Sequence, residues 1–229
     1  MIDIIILTKD HIESTKKCIE SIKTKYPYEL IVVDSGSTDG TQKYCDLKGA
    51  LVIPTAGEFC FSRNVNIGVK FGRNPLKLIC NNDIQFGRKA IDAMVETMIA
   101  EKAGMVGPHS NACMNPDQWH KGPQDPDETK TTTRTLNFFA VLIDNKVFET
   151  IGYMDKQFTG YGCDDDDFTL RAYKAGYKIV VAPAYVYHEA TTTYKELNKK
   201  KMYRENIKRF KDKWGFAPTQ DWRECLIKM

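Results

Sequence analysis

The sequence lacks the motifs that identify several common enzyme classes. It contains no Gly-x-x-x-x-Gly-Lys-Ser/Thr, no Gly-x-Gly-x-x-Gly, no Gly-x-Ser-x-Gly and no His-Glu-x-x-His. These motifs bind nucleotide phosphates or dinucleotides, carry a nucleophilic serine, or hold a catalytic zinc ion. P-loop, dinucleotide-binding, serine-hydrolase and zincin functions are therefore without support.

Paired cysteines and long apolar runs are also missing. The seven cysteines are an odd number without a Cys-x-x-Cys pair, which is typical of neither a disulfide framework nor a zinc ribbon. No segment approaches the roughly 20 apolar residues that span a bilayer. The start of the sequence, MIDIIILTKD, lacks the basic residues and longer apolar stretch of a secretion signal. We therefore expect free thiols, no transmembrane segment and a cytoplasmic location.

Neither sign of charge is in large excess. The formal net charge of +3 is too small to indicate nucleic-acid binding by itself. A hydrophobic content of 42% and a charged content of 28% are typical of a globular protein, and 229 residues can bury a substantial core. We therefore expect one large domain. No feature of the sequence indicates an oligomeric state.

Short apolar runs alternate with segments of helical periodicity in the first half of the chain. The apolar runs predict strands at 2–7, 30–33, 50–53 and 76–80. Helical spacing predicts helices at 12–26, from 41 onward, at 62–71 and at 88–102. This alternation favours an α/β fold, in which helices cover both faces of a parallel sheet.

Polar residues stand where three of these strands end. They are Thr8, Asp34 and the run Asn81, Asn82 and Asp83. In open α/β sheets, ligands bind at the carboxyl ends of the strands, so these side chains are candidates for a binding site. The carboxylate and amide oxygens of residues 81–83 suit a hard cation such as Mg²⁺ or Mn²⁺. Asn-Asn-Asp is also a common turn composition, so a structural role stays open.

The second half opens with a long segment, 108–135, that is rich in Pro, Asp and Thr and has little periodicity. Loops of this length are usually functional or disordered, and Trp119 and His120 could stack on or hydrogen-bond a ligand. After it the sequence predicts a strand at 136–143, a helical turn at 146–151, a helix at 168–175 and strands at 178–182 and 184–187.

Four consecutive aspartates, residues 164–167, precede the helix predicted at 168–175. Two unit charges about 4 Å apart repel by about 4 kcal/mol in a protein-like medium. Helix capping and the helix dipole explain one or two acidic residues, but not four. The excess indicates that one carboxylate faces a cleft as a general base. Gly160 and Gly162 would let the backbone approach a ligand, and Tyr161 would offer a flat surface to a sugar ring.

Two further features each have two interpretations. His188 follows a predicted strand and is either a hydrogen-bonded structural residue or, with an upstream carboxylate, a metal ligand. The lysine-rich helix predicted from Tyr194 to Trp214 either packs against its own domain or binds a membrane or an acidic partner.

The ordered set of these segments resembles the family 2 glycosyltransferases of GT-A fold. The resemblance rests on IIILTKD, IVVDSGSTDGT, FSRNVNIGVKFG, LICNNDIQF, the segment 147–179 and VYH, and it covers about residues 2–190. It implies a GT-A (Rossmann-like) α/β fold with a mixed, mainly parallel sheet flanked by helices and a C-terminal helical tail. The expected domain spans 1–193, with a nucleotide-binding half at 1–107 and an acceptor-binding, catalytic half at 108–193. Residues 194–229 are expected to form a helical extension packed on it.

The resemblance also implies roles for the polar residues at the strand ends. Thr8, Asp34 and Arg63 would line the nucleotide-base pocket, with Asp34 accepting a hydrogen bond from a ring N–H of uracil. Asn81 would lie near the ribose, beside Asn82. Asp83 and His188 would hold the divalent cation, Mn²⁺ or Mg²⁺.

The implied activity is the transfer of a sugar from a nucleotide diphosphate sugar, with a UDP-sugar expected first, to an acceptor hydroxyl with inversion. Asp165 would be the general base and Asp164 would bond the acceptor. Asn81 stands where the family usually has aspartate, and Asp164 where it usually has glutamate. The acceptor could be a glycan, a protein or another hydroxyl compound. The lysine-rich tail and the loop 108–135 give only weak support for a nucleic acid acceptor.

Two other functions stay open at this stage. A sugar-1-phosphate nucleotidyltransferase also combines an α/β sheet with acidic metal ligands, but it would carry a glycine-rich basic loop near the N-terminus, and LTKDHIESTKK has no glycine. A non-catalytic module that binds a nucleotide or a glycan could follow from the loss of a carboxylate at Asn81.

Overall fold

The computed structural model of the protein describes residues 1–122, 126, 128–132, 134–190, 196–218 and 221–227. The expected boundary between the domain and its tail, at residues 193 and 194, lies outside the described residues. All seven cysteines are free thiols, as the sequence predicts. Within the described part of the chain, no helix is long and apolar enough to cross a membrane.

The strands carry the apolar and β-branched runs of the sequence. They are β1 Ile2–Thr8, β2 Tyr28–Asp34, β3 Leu51–Pro54, β4 Leu76–Asn81, β5 Ile84–Phe86, β6 Met105–His109, β7 Lys130–Thr131, β8 Ala140–Asp144 and β9 Ile179–His188. The helices between and after them are α1 Ile12–Ser21, α2 Thr41–Leu47, α3 Phe61–Phe71, α4 Ala90–Glu101, α5 Asn145–Ile151, α6 Asp164–Lys174, α7 Glu196–Trp214 and α8 Trp222–Ile227.

The strands form one sheet in the order β3-β2-β1-β4-β8-β6-β9-β5, and β7 pairs with β9. The pairs β1–β2, β1–β4, β2–β3 and β6–β9 are parallel, whereas β8 runs antiparallel to both β4 and β6. This confirms the predicted mixed, mainly parallel sheet. In the register of the parallel strands, Thr8 lies opposite Asp34 and Leu7 lies opposite Asn81, so the polar strand ends stand at one edge.

The core lies on both faces of the sheet because side chains of a strand alternate between its faces. Ile4 and Ile6 of β1 join the apolar cluster that includes α1 and α4, whereas Ile5 and Leu7 join the cluster that includes α3, α5 and α6. All four side chains are at most 1% exposed. The continuous apolar run of β1 is therefore the mark of a strand buried on both sides.

Helix α7 packs on the domain through a third apolar cluster. Phe210 and Trp214 of α7 lie against Phe158, Cys163 and Leu170, which flank or belong to α6. The side chain of Phe210 is fully buried. The amphipathic tail thus covers the region where the aspartate run begins a helix.

Several predicted element bounds are wrong. The strand predicted at 136–143 begins only at Ala140, and the strands predicted at 178–182 and 184–187 are the single strand β9. Strands β5 and β6 were not predicted, and the segment predicted as a loop at 108–135 contains the end of β6 and the short strand β7. The helix predicted at 168–175 is α6, which begins four residues earlier at Asp164.

Candidate active site

A cavity of about 490 Å³ opens at the carboxyl end of β4. Its volume lies within the range of small-molecule and cofactor sites. The sequence-predicted residues that line it come from segments far apart in the chain: Asn81, Asn82, Asp83, Asp164, Asp165 and His188. The structure therefore brings together the three clusters that the sequence singled out separately.

His188, at the end of β9, faces Asp83 across part of this cavity. Its Nε2 lies 3.4 Å from Oδ1 of Asp83, and its Nδ1 lies 3.0 Å from the backbone carbonyl oxygen of Ala112. The ring stacks on Phe139 with 5.5 Å between the ring centroids. When the imidazole is neutral, Nδ1–H donates to the carbonyl, so the lone pair of Nε2 points towards Asp83.

Burial lowers the pKa of His188, but the hydrogen bond and negative charge of Asp83 outweigh burial and raise it above its ordinary value. The side chains of both residues are largely buried. The carboxylate of Asp83 and the imidazole of His188 are therefore arranged to hold one positive charge between them, either a proton or a metal cation.

Asn82 connects this pair to the first strand. Its Nδ2 donates to the hydroxyl oxygens of Thr8, at 3.1 Å, and Thr15, at 2.9 Å. Backbone pairing adds a second anchor, since the N–H of Asn81 donates to the carbonyl oxygen of Phe139 at 3.0 Å. The turn at residues 81–83 is thereby held in place, and Asp83 is positioned at the cavity.

The aspartate run forms the first turn of α6 rather than a cap that precedes it. The N-cap residue is Cys163, whose φ is 70° and whose side chain makes no capping hydrogen bond. The sequence-based expectation that some of the aspartates cap the helix is therefore wrong. All four carboxylates instead lie at the positive end of the helix dipole, which favours negative charge.

Three of the four aspartates, Asp164, Asp165 and Asp166, line the cavity. Oδ2 of Asp165 accepts a hydrogen bond from the backbone N–H of Phe138 at 3.4 Å, and its Oδ1 accepts from the N–H of Asp166 at 3.0 Å. Asp166 accepts a hydrogen bond from the hydroxyl of Thr135. Asp165 is thus oriented by backbone groups on both sides.

Burial explains how the crowded carboxylates are tolerated. Burial, followed by the negative charge of Asp165, raises the pKa of Asp164 to about 8. Burial likewise raises the pKa of Asp165, against the hydrogen bonds that its carboxylate accepts, and raises the pKa of Asp166 well above its ordinary value. Asp164 therefore keeps its proton near neutral pH, which reduces the repulsion among the members of the cluster.

The glycines before α6 make room for α7. A Cβ atom at Gly160 would lie 2.6 Å from Sδ of Met202, and one at Gly162 would lie 2.6 Å from Cδ2 of Tyr203. Both glycines have positive φ, at 76° and 85°. Both glycines and Tyr161 also line the cavity, so the predicted close approach of this backbone to a ligand stays a prediction.

Asn206 of α7 fastens the same turn. Its Nδ2 donates to the carbonyl oxygens of Thr159 at 2.9 Å, Tyr161 at 3.1 Å and Gly162 at 3.0 Å. The residue is 1% exposed. The turn that leads into Asp164 is therefore held by the tail helix.

Three predicted base-pocket residues do not line the cavity: Thr8, Asp34 and Arg63. Oδ1 of Asp34 accepts from the backbone N–H groups of Gly36, at 2.9 Å, and Ser37, at 2.8 Å, so this carboxylate shapes the turn after β2. Arg63 donates to the carbonyl oxygen of Glu58 at 2.5 Å. These residues stand beside the cavity, around the ends of β1 and β2.

Two residues of α7 line the cavity although the sequence did not predict them as site residues. Tyr203 and Lys199 reach the cavity from α7, and Nζ of Lys199 lies 4.4 Å from the ring centroid of Tyr161. Burial raises the pKa of Tyr203 to about 12. Two loop residues considered as ligand contacts, Trp119 and His120, do not line the cavity.

Two family profiles match the sequence. The sequence matches the profile described as "Glycosyl transferase family 2" over residues 3–164, which is more than half of the chain. It also matches the profile described as "N-terminal domain of galactosyltransferase" over residues 137–200. A search of curated proteins finds no match.

Solved structures with the same fold include three glycosyl-transferring proteins. S. aureus TarS 1–349 superposes with a TM-score of 0.65 at 16% identity, over 92% of this chain and 72% of that chain. GalNAc-T7 with UDP, GalNAc and Mn²⁺ superposes with a TM-score of 0.68 at 13% identity, over 82% of this chain and 43% of that chain. The mannosyltransferase PcManGT from Pyrobaculum calidifontis, with GDP-Man and Mn²⁺, superposes with a TM-score of 0.67 at 15% identity, over 95% of this chain and 65% of that chain. These superpositions confirm the predicted GT-A fold.

Proposed function

Because the chain belongs to glycosyl transferase family 2 and is therefore a glycosyltransferase, we propose that it transfers a sugar from a nucleotide diphosphate sugar to an acceptor hydroxyl with inversion. The observation that carries this proposal is the single cavity shared by Asp83, His188 and the acidic turn of α6. A donor bound at the strand ends would present its sugar to Asp165 within that cavity. We retain residues 1–107 as the nucleotide-binding half and 108–193 as the acceptor-binding, catalytic half.

The residues at the strand ends fit a divalent cation. Asp83 offers a carboxylate oxygen and His188 a ring nitrogen 3.4 Å away, with the other ring nitrogen fixed on a backbone carbonyl. Among the described residues, no group of three or more His, Cys, Asp or Glu side chains is placed to hold a metal ion. Mn²⁺ or Mg²⁺ held by two protein ligands and by donor phosphates matches this set, and the bound cation would neutralise charge on the diphosphate.

Asp165 is the proposed general base. Its backbone hydrogen bonds fix the carboxylate at the cavity wall, and burial raises its pKa above the ordinary value for an aspartate, which makes the carboxylate a stronger base. It would take the proton from the acceptor hydroxyl as the acceptor oxygen attacks the anomeric carbon. The bond from that carbon to the diphosphate breaks, and its electron pair stays on the diphosphate oxygen. Asp164, next in the turn, would bond the acceptor.

We propose a uridine nucleotide as the first donor to test. Asp34 has the acceptor chemistry for a uracil ring N–H, and among the described residues the Ser37 hydroxyl, at 2.5 Å, is the donor to its Oδ2. That oxygen keeps a further lone pair. Thr8 and Arg63 flank the same strand ends, and Asn81 would lie near the ribose, beside Asn82. TarS has been crystallised with UDP-GlcNAc, whereas PcManGT was crystallised with GDP-Man, so guanosine and thymidine donors remain in the test.

The test is a donor screen that measures release of the nucleoside diphosphate from UDP-, GDP- and dTDP-sugars, with and without Mn²⁺. Glycans, proteins and nucleic acids should be added in turn as acceptors, and products should be identified by mass. Metal-stimulated release from one donor class would support the proposal. Nucleotide-sugar synthesis, or nucleotide binding without turnover of any donor, would contradict it.

A further inference from the structure

Lys199 differs from the neighbouring lysines of α7. Its side chain is half-buried and lines the cavity, whereas the side chains of Lys200 and Lys201 are exposed and do not. Its Nζ lies over the ring of Tyr161, 4.4 Å from the centroid. One cation of the basic tail therefore points into the site that holds the acidic turn.

Within the part of the chain that the structure describes, no carboxylate pairs with this ammonium. Among the described residues, no Asp or Glu oxygen lies within 4.0 Å of Lys199 Nζ. Burial raises the pKa values of Asp164 and Asp166, which reduces the negative charge that they present to it. A partly desolvated cation without a counter-ion favours the binding of an anion.

The position of Lys199 indicates which anion that is. Lys199 lines the same cavity as Asp83 and His188, and its Nζ lies over the face of Tyr161, which also lines it. A nucleoside diphosphate held at Asp83 and His188 would bring its terminal phosphate into this cavity. The nucleoside itself would lie farther away, beside the ends of β1 and β2.

We propose that Lys199 binds the terminal phosphate of the donor diphosphate and stabilises it as the leaving group. This inference rests on the proposed function. The diphosphate carries more negative charge than one divalent cation neutralises, and further charge reaches its oxygen as the glycosidic bond breaks. The ammonium donates hydrogen bonds to phosphate oxygens, and charge-assisted bonds of this kind are among the strongest available. Asn81, where the family usually has a carboxylate, leaves the same region less negative.

The test compares Lys199→Met with Lys200→Met, a matched control on the same helix. Titration calorimetry should measure the binding of the nucleoside diphosphate preferred in the donor screen, and of its monophosphate, with Mn²⁺ present. We expect Lys199→Met to weaken diphosphate binding about tenfold or more and monophosphate binding by less than about twofold. Lys199→Arg should bind the diphosphate within about threefold of the wild type, and Lys200→Met should match the wild type.

Two outcomes would overturn the assignment. Lys199→Met could bind the diphosphate as tightly as the wild type, or it could lose the monophosphate and diphosphate equally. Far-ultraviolet circular dichroism should show that the variant is folded, and Lys199→Gln replaces it if it is not. Failure of the wild type to bind any nucleoside diphosphate would instead remove the proposed function itself, together with this inference.

Discussion

The indole nitrogen of Trp214 donates a hydrogen bond of 2.9 Å to Oδ1 of Asp167. The same oxygen lies 2.7 Å from Nζ of Lys213, and Oδ2 accepts from Nε of Arg171 at 2.9 Å. Asp167 is fully buried. The fourth aspartate therefore joins α6 to α7, while the three before it line the cavity.

Trp214→Phe should destabilise the protein by about 1–3 kcal/mol, because it removes a donor from a buried carboxylate while keeping an aromatic ring. Urea unfolding measures the change in free energy. Trp119→Phe is the matched control, since the side chain of Trp119 is 53% exposed. Equal midpoints for Trp214→Phe and the wild type would show that this bond contributes nothing to the docking of α7.

Asp165→Asn should leave donor binding intact and lower the rate of sugar transfer by about a hundredfold to ten-thousandfold, the usual contribution of a general base. Calorimetry with the donor and a product assay measure the two effects separately. Asp166→Asn is the control from the same turn, and it should retain most of the rate because the amide oxygen can still accept from Thr135. If Asp165→Asn turns over normally and Asp166→Asn does not, the base is Asp166.

Asp83→Ala should abolish the part of nucleotide binding that depends on Mn²⁺, because it removes the carboxylate that faces His188 at 3.4 Å. Calorimetry with and without Mn²⁺ isolates that part. Asp46→Ala, an exposed carboxylate on α2, is the control and should preserve the Mn²⁺ effect. An undiminished Mn²⁺ effect in Asp83→Ala would mean that the cation binds elsewhere.

The sequence could predict the sheet side of the site because one local rule decides it. Thr8, Asp34 and Asn81 each end an apolar run, and parallel pairing brings the ends of such runs to one edge. The continuity of β9 was not predicted: the sequence indicated strands at 178–182 and 184–187, and the two segments that flank Pro183 belong to one strand. The register shift between Gly107 and His109 of β6 opposes this part of β9, and such an irregularity can accommodate a residue that cannot donate to the ladder.

The helical side of the site depends on contacts that no local pattern records. The tail contains three consecutive lysines, and only tertiary packing decides that Lys199 enters the cavity while Lys200 and Lys201 face outward. The start of α6 was placed too late because four adjacent charges oppose a helical turn. Burial shifts the pKa values of Asp164 and Asp166 upwards, and this lowers the charge that the turn has to hold.

The raised pKa of Asp164 predicts that the protein loses stability as the pH rises. An unfolded aspartate has a pKa of about 3.9, whereas burial and the charge of Asp165 raise that of Asp164 to about 8 in the fold. Between these values the folded chain keeps a proton that the unfolded chain has released. The stability that Asp164 contributes is therefore fully present below about pH 4. It decreases as the pH rises from there to about pH 8, by no more than about 1.4 kcal/mol per pH unit.

Asp164→Asn should remove that contribution, because the amide resembles the protonated acid and does not titrate. Urea unfolding at pH 6 and pH 8.5 should show a larger fall in stability for the wild type than for Asp164→Asn. Asp155→Asn is the control: burial raises the pKa of Asp155, but its hydrogen bonds with Lys213 and Gln157 and the charge of Lys213 together lower it below its ordinary value, so Asp155 does not titrate in this range. The decrease in the free energy of unfolding of Asp155→Asn between pH 6 and pH 8.5 should equal that of the wild type. If the stability of the wild type decreases no more than that of Asp164→Asn, Asp164 is already ionised at pH 6 in the folded protein.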